Sequence, residues 1–242
     1  MSKISDTQLQ NHKIVSPAEW LSARKELLAK EKEFTQLREE LSQQRRDLPW
    51  EKVEKSYQFD GLDGKESLAD LFQKRNQLIV YHFMFNPEWD EGCPSCSFWA
   101  DHYDAMVPHL NQRDVAFVVI SRAPLAKIQA FKKRMGWKFK WLSSGNGDFN
   151  YDYHVSFRPE DLKRKSIVYN YEESAAQHPD REGLSVFYKD KKGNVYHTYS
   201  AYARGIDMVN ATYQFLDLVP KGRDEEGDFK QAWVNYHDRY DQ

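Results

Sequence analysis

Cys93-Pro94-Ser95-Cys96 holds both cysteines of the chain. Two thiols at this spacing close too short a loop to constrain the unfolded chain much, so a structural crosslink is a poor use of them. They suit a dithiol that opens and closes. Cys96, Trp99, Tyr103, Met106 and Leu110 recur at steps of three or four, which predicts one helical face, with Ser97, Asp101 and Asp104 opposite. Cys96 then belongs to the buried face. Cys93 falls in the first helical turn, where unpaired N–H groups and the helix dipole favour a thiolate. Pro94 fits that turn because its missing N–H would have no partner anyway. The pattern makes Cys93 an exposed nucleophile and Cys96 a sheltered resolving thiol, with Pro94, Ser95 and Trp99 beside them. Glu88, Asp90 and Glu91 precede Cys93 and would oppose its ionisation, so a strongly oxidising pair is not expected.

Other chemistries fit less well. Structural zinc needs four ligands; one C-x-x-C supplies two, and the histidines show no paired spacing, although His102 could approach the cysteines. No His follows Cys96, which argues against c-type haem attachment. No dinucleotide or phosphate loop is present, so neither metal nor cofactor is expected. Arg122 follows a buried strand pattern at the end where parallel folds gather ligands; it could face the dithiol or form a surface salt bridge. Asp148, Asn150 and Asp152, interleaved with Phe149, Tyr151 and Tyr153, could line a small-molecule pocket or fold an insertion. Tyr202, Arg204 and Gly205 read as a helix entry or an anion site, and His82 as a satisfied core histidine.

The elements that must position these residues follow from capping and periodicity. Ser16-Pro17-Ala18-Glu19 is a helix start. Behind it Trp20, Leu27, Phe34 and Leu41 recur every seventh residue, with Leu37 added, predicting a long helix that stops before Pro49. It would pack on the domain as an arm or form a homodimer. Tyr57–Phe59 reads as a short strand, followed by turns at Asp60-Gly61 and Asp63-Gly64 and a short helix from Ser67. The apolar runs 77–85 and 115–120 suit strands buried on both faces. Helix 124–135 stops at Gly136, and Trp137, Phe139 and Trp141 alternate as a strand. Alternating strand and helix signals argue for parallel pairing in an α/β layer fold. A hairpin spans 184–199, and a last helix carries Ile206, Val209, Tyr213 and Leu216. The divisions are a helical arm over 1–50, a domain over 51–220 and a charged, aromatic tail over 221–242 whose Phe229, Trp233 and Tyr236 should dock.

At 242 residues the chain can bury a core without staples. Its 35 Lys and Arg nearly balance 37 Asp and Glu, which gives no global field for nucleic acid or membrane. The stretch Met1 to Asn11 lacks the apolar core of a secretory leader, and no run approaches membrane-spanning length. The expected location is cytoplasmic, where C-x-x-C more often means redox or metal chemistry than a permanent crosslink.

Several segments together resemble a bacterial family. They are Trp20-Leu21 with Ala23-Arg24, Gly92 through Asp101, Ser121-Arg122-Ala123-Pro124-Leu125, Arg134-Met135-Gly136-Trp137, Asp148 through Asp152, Tyr202-Ala203-Arg204-Gly205 and Asp238-Arg239-Tyr240. The chain is similar along nearly its whole length to the thioredoxin-like family catalogued as domain of unknown function 899, often labelled a dithiol–disulfide oxidoreductase. The resemblance implies an α/β thioredoxin-like three-layer fold with a central mixed sheet, an N-terminal helical extension and a long insertion, 145–183, before the C-terminal hairpin. It also implies a redox-active Cys93/Cys96 pair, served by an external thiol reductant and acting on a disulfide-bearing protein or small molecule. Thioredoxins place a cis-proline before the hairpin strand; here Arg181-Glu182-Gly183-Leu184 stands there, which puts Gly183 near the pair. The hairpin, and the opening stretch from Phe59, look closer to peroxiredoxins. Yet the peroxidatic P-x-x-x-T-x-x-C pattern fails at both cysteines, with Asn86 and Asp90 at those offsets before Cys93. A thiol peroxidase and a non-enzymatic redox-sensing module are the alternatives.

Overall fold

A computed structural model describes residues 10–163, 166–175 and 178–240. The first nine residues of the 1–50 arm, the last two of the tail and four positions of the 145–183 insertion lie outside the described residues.

Helix α1 (Pro17–Asp47) starts as its sequence requires. The Ser16 hydroxyl accepts from the Glu19 amide, and the Glu19 carboxylate accepts from the Ser16 amide at 3.0 Å. Leu48 turns extended before Pro49, as a residue preceding proline should. In the arm expected to pack on the domain, no residue of α1 is buried.

The main sheet has strands β1 (Glu51–Lys52), β2 (Gln58–Gly61), β3 (Gly64–Ser67), β4 (Gln77–His82), β5 (Val115–Ser121), β6 (Lys140–Ser143), β9 (Gly183–Lys189) and β10 (Val195–Tyr202). Its order is β1-β10-β9-β4-β5-β6-β2-β3. The β4–β5 and β5–β6 pairs are parallel; β9 runs antiparallel to β4 and to β10. The first crossover carries helices α2 (Pro94–Ala100) and α3 (Tyr103–Gln112), and the second carries α4 (Leu125–Arg134). After β6 the chain makes α5 (Phe149–Asp152), α6 (Pro159–Lys163) and a separate hairpin, β7 (Ser166–Tyr169) with β8 (Glu172–Ala175), before re-entering as β9. Helix α7 (Ala211–Leu216) follows the β9–β10 hairpin. Strand, helix, parallel strand, crossover, antiparallel hairpin and helix make the thioredoxin-like arrangement.

Alternation along the central strands divides the core into two faces. Leu78, Val80, Val118 and Ile120 point to one side, where a 3-10 turn (Asp70–Phe72), Phe59 and Phe149 cover them. Tyr81, Phe83, Phe117 and Val119 point to the other, against Phe98, Trp99, Tyr103, Ile128, Phe131 and Tyr213. These are the three layers.

Three elements differ from what their sequence patterns predict. The single helix through Cys96 and Leu110 is broken at Asp101-His102, where His102 bonds the Trp99 carbonyl in a tighter turn. Trp137 and Phe139 pack as a strand would but lie outside β6, because the Asp104 carboxylate takes the amides of Lys138 and Phe139 that a ladder would use. The last helix is split in two: a 3-10 segment (Ala203–Val209) ends at extended Asn210, whose side chain caps α7 through the Tyr213 amide at 3.0 Å.

Candidate active site

The two thiols sit where α2 leaves the end of β4. The Cys93 amide donates to the Met84 carbonyl at 3.0 Å, and the Met84 amide donates back to Cys96 Sγ at 3.4 Å. The chain beyond β4 therefore holds both cysteines by its backbone. Cys93 is the N-cap of α2 and Pro94 its first residue; Cys93 Sγ accepts from the Cys96 amide at 3.5 Å. Both thiols are free. Cys96 is buried, whereas Cys93 is half-buried rather than exposed as its position suggested. Ser97, placed by its spacing on the polar face, is fully buried and returns its hydroxyl to the Cys93 carbonyl at 2.9 Å.

The electrostatics of the pair are asymmetric. The Cys96 thiol hydrogen-bonds the Cys93 sulfur and pulls the Cys93 pKa below its ordinary value, helped by the Cys96 amide and opposed by burial. Burial pushes Cys96 well above its ordinary value, and the Cys93 sulfur adds to the effect. Two fully buried phenols back this thiol. Tyr81 bears on Cys96 and Tyr103 on Tyr81, their rings 5.1 Å apart, and burial raises both.

Two of the acidic residues ahead of Cys93 are paired with cations. Glu91 is held by Arg134 and Arg239, and Asp90 faces Lys127 at 3.7 Å. The carboxylate that acts on the pair is Glu182, which raises both Cys93 and Cys96. The β4–β9 register, His82 opposite Gly183, sets Glu182 beside the end of β4, where Met84 holds the cysteines. Gly183 itself serves packing: a Cβ there would stand 2.7 Å from the Tyr202 ring and 3.0 Å from Val155.

Arg122 forms a largely buried salt bridge rather than a surface one. Its guanidinium grips Asp180 with two parallel bonds, Nε to Oδ1 at 2.8 Å and Nη2 to Oδ2 at 3.0 Å, in a site where Asp180 is buried. Asn86 and Ser156 also donate to Asp180, and Arg122 Nη1 donates to the Tyr151 hydroxyl. One carboxylate thus ties together the loop after β4, the end of β5, the insertion and the approach to Glu182.

The remaining candidates are mostly structural. Trp99 is buried and donates to the Ile206 carbonyl at 3.0 Å. His102 meets Thr212 at 3.0 Å. No cluster of metal-ligating side chains exists among the described residues. Asp148 and Asp152 hold Lys55, Asn150 bonds Ser144, and Phe149 and Tyr153 enter the core, so this motif folds the insertion. Beside it lies a cleft of about 620 Å³ lined in part by Tyr151, Phe157 and Arg158. Tyr202 is buried, and exposed Arg204 faces Asp207 at 3.4 Å rather than an anion site. His82 is only half satisfied: Nε2 meets Ser185 at 2.9 Å, while buried Nδ1 has no partner among the described residues. From Ser185 the bonding continues to Ser200 at 2.8 Å and His197 at 2.8 Å.

A family model described as "Bacterial protein of unknown function (DUF899)" matches residues 9–240. No curated protein matches the chain. Among solved structures, peroxidoxin BcpB from Mycobacterium tuberculosis is similar at TM-score 0.46 and 15% identity, over 68% of this chain and 95% of that one. A cysteine-to-serine mutant of Xanthomonas campestris peroxiredoxin Q is similar at TM-score 0.45 and 14% identity, over 70% and 98%. The mitochondrial 2-Cys peroxiredoxin from Plasmodium falciparum reaches TM-score 0.38 at 12% identity, over 69% and 92%. No helix among the described residues is long and apolar enough to cross a membrane.

Proposed function

The chain belongs to that bacterial family of unknown function, and from this premise we propose that it is a thiol–disulfide oxidoreductase cycling Cys93 and Cys96. The observation that carries the reading is the unequal pair: a half-buried N-cap thiol favoured as thiolate, in contact with a buried thiol favoured as SH.

The Cys93 thiolate attacks one sulfur of a substrate disulfide. The S–S bond breaks, a mixed disulfide forms and the other substrate sulfur leaves as thiolate. Forming that bond removes the negative charge from Cys93. One cause of the high Cys96 pKa goes with it. Cys96 then gives its proton to the substrate thiolate released in the first step and attacks Cys93 Sγ from the buried side, closing the Cys93–Cys96 disulfide and expelling the second substrate thiolate. Two electrons pass from the pair to the substrate, and an external thiol reductant restores them while itself becoming a disulfide. Substrates are disulfide-bearing proteins or small molecules, and no bound cofactor is needed for this cycle.

Thiol trapping across glutathione or dithiothreitol buffers tests the reading. A reversible two-electron transition at about −200 to −270 mV supports an exchange-competent pair. Reduction of insulin or glutathione disulfide should be lost in Cys93→Ser, and Cys96→Ser should accumulate mixed disulfide. A pair that forms no intramolecular disulfide, or turnover that survives Cys93→Ser, overturns the proposal. Peroxide consumption that depends on Cys93 without disulfide exchange would favour the thiol-peroxidase alternative.

A further inference from the structure

Helix α1 spans 31 residues, roughly 45 Å, without one buried side chain. A helix of this length ordinarily gains its stability by packing an apolar stripe. The stripe exists and stands open: Trp20, Leu27, Phe34 and Leu41 are 59, 52, 66 and 42% exposed. Towards the domain, the Arg45 guanidinium lies 5.7 Å from the Tyr199 ring.

With that stripe as the a positions of a heptad, the flanking charges fall into order. The g positions are Glu19, Glu26, Glu33 and Glu40; the e positions are Arg24, Glu31, Arg38 and Arg45. In a parallel pair each g faces the e five residues on in the partner. Glu19 meets Arg24, Glu33 meets Arg38 and Glu40 meets Arg45, all attractive. Only Glu26 with Glu31 is repulsive, and Glu31 already accepts from Arg24 of its own helix at 2.7 Å. An antiparallel pair sets g against g, which brings glutamates together along its length. The d positions are Ala23, Lys30, Leu37 and Gln44. The polar ones weaken the seam but penalise shifted registers and larger bundles.

We infer that α1 is the interface for a second copy of this chain, paired in parallel and in register as a two-stranded coiled coil. The occupant is a second copy because the helix is complementary in charge to itself. This inference does not depend on the thiol reading.

Sedimentation of the full chain across the micromolar range should give a dimer, and Leu27→Asp with Phe34→Asp should give a monomer with unchanged domain spectra. Glu33→Arg alone and Arg38→Glu alone should each weaken dimerisation about tenfold, because two exposed pairs turn repulsive. The double variant E33R/R38E should recover it. Ala23→Cys, in a Cys93→Ser/Cys96→Ser background, should crosslink to its twin under mild oxidation. A monomer throughout the range overturns the inference, as does a dimer that keeps its affinity in the Leu27/Phe34 variant. A dimer in which Ala23→Cys does not crosslink, or in which the double charge variant fails to recover, overturns the parallel register.

Discussion

The Tyr236 hydroxyl donates to the Gly92 carbonyl at 2.6 Å, tying the C-terminal tail to the residue before Cys93. The tail is anchored well at this point. Guanidiniums of Arg134 and Arg239 lie over the Tyr236 ring at 4.9 and 5.0 Å, and Arg134 also pairs with Asp238. Gly92 has no spare room on its inner side, because a Cβ would come within 2.6 Å of Phe83 and 2.9 Å of Phe131. The loop entering the dithiol is therefore clamped between the core rings and the tail. Removing the hydroxyl in Tyr236→Phe should cost about 1 kcal/mol in urea unfolding. It should also speed alkylation of Cys93 by loosening that loop. An unchanged alkylation rate would mean that the tail does not restrain the site.

Glu182 gives a second handle on the same thiol. Its carboxylate raises Cys93 and Cys96 alike, and it stands where the approach to β9 passes the end of β4. Glu182→Gln keeps the shape and removes the charge, so Cys93 should ionise at lower pH. In iodoacetamide kinetics the midpoint of the pH–rate curve should move down and the rate at neutral pH should rise. A curve that stays in place would show that another group sets the Cys93 thiolate.

Those two residues show what could be read in advance. The strands 77–82 and 115–121 and the β9–β10 hairpin were legible because their signals are local: apolar runs between turn residues. The relative burial of the cysteines was legible too, since helical spacing separates Cys96 from the N-cap position of Cys93. Glu182 was not, because its place beside the dithiol depends on the pairing of β9 with β4 across the whole insertion. That the Arg122 ion pair is buried was not legible for the same reason, as its partner Asp180 lies 58 residues away. Trp137 and Phe139 alternate as a strand does, yet one carboxylate from α3 diverts their backbone.

The Arg122–Asp180 pair should dominate the stability of this end of the fold. Removing one partner of a buried ion pair strands the other charge, which typically costs about 3–5 kcal/mol. Asp180→Ala should reach that range, since Asn86 and Ser156 lose their acceptor as well. Asp60→Ala, which breaks an exposed pair with Lys65, should cost less than about 1 kcal/mol. Equal losses in denaturant titration would show that the buried pair has no special weight.

His82 makes stability depend on acidity. Burial drives its pKa from 6.5 to about 3, with His197 adding to the effect, so the ring is neutral in the folded protein through most of the acid range. The unfolded chain binds a proton there below about pH 6.5 while the folded chain does not. For this lowered histidine the unfolded state holds more protons between about pH 6.5 and 3, and stability falls as pH drops through that window. The full loss is on the order of 5 kcal/mol by pH 3. His82→Gln retains a partner for Ser185 but cannot take up the proton. The stability difference between the two proteins should shift in favour of the variant as pH falls from 6.5 to 3, even though carboxylates titrate in both. Parallel pH dependences in urea unfolding would show that His82 is not the group that titrates.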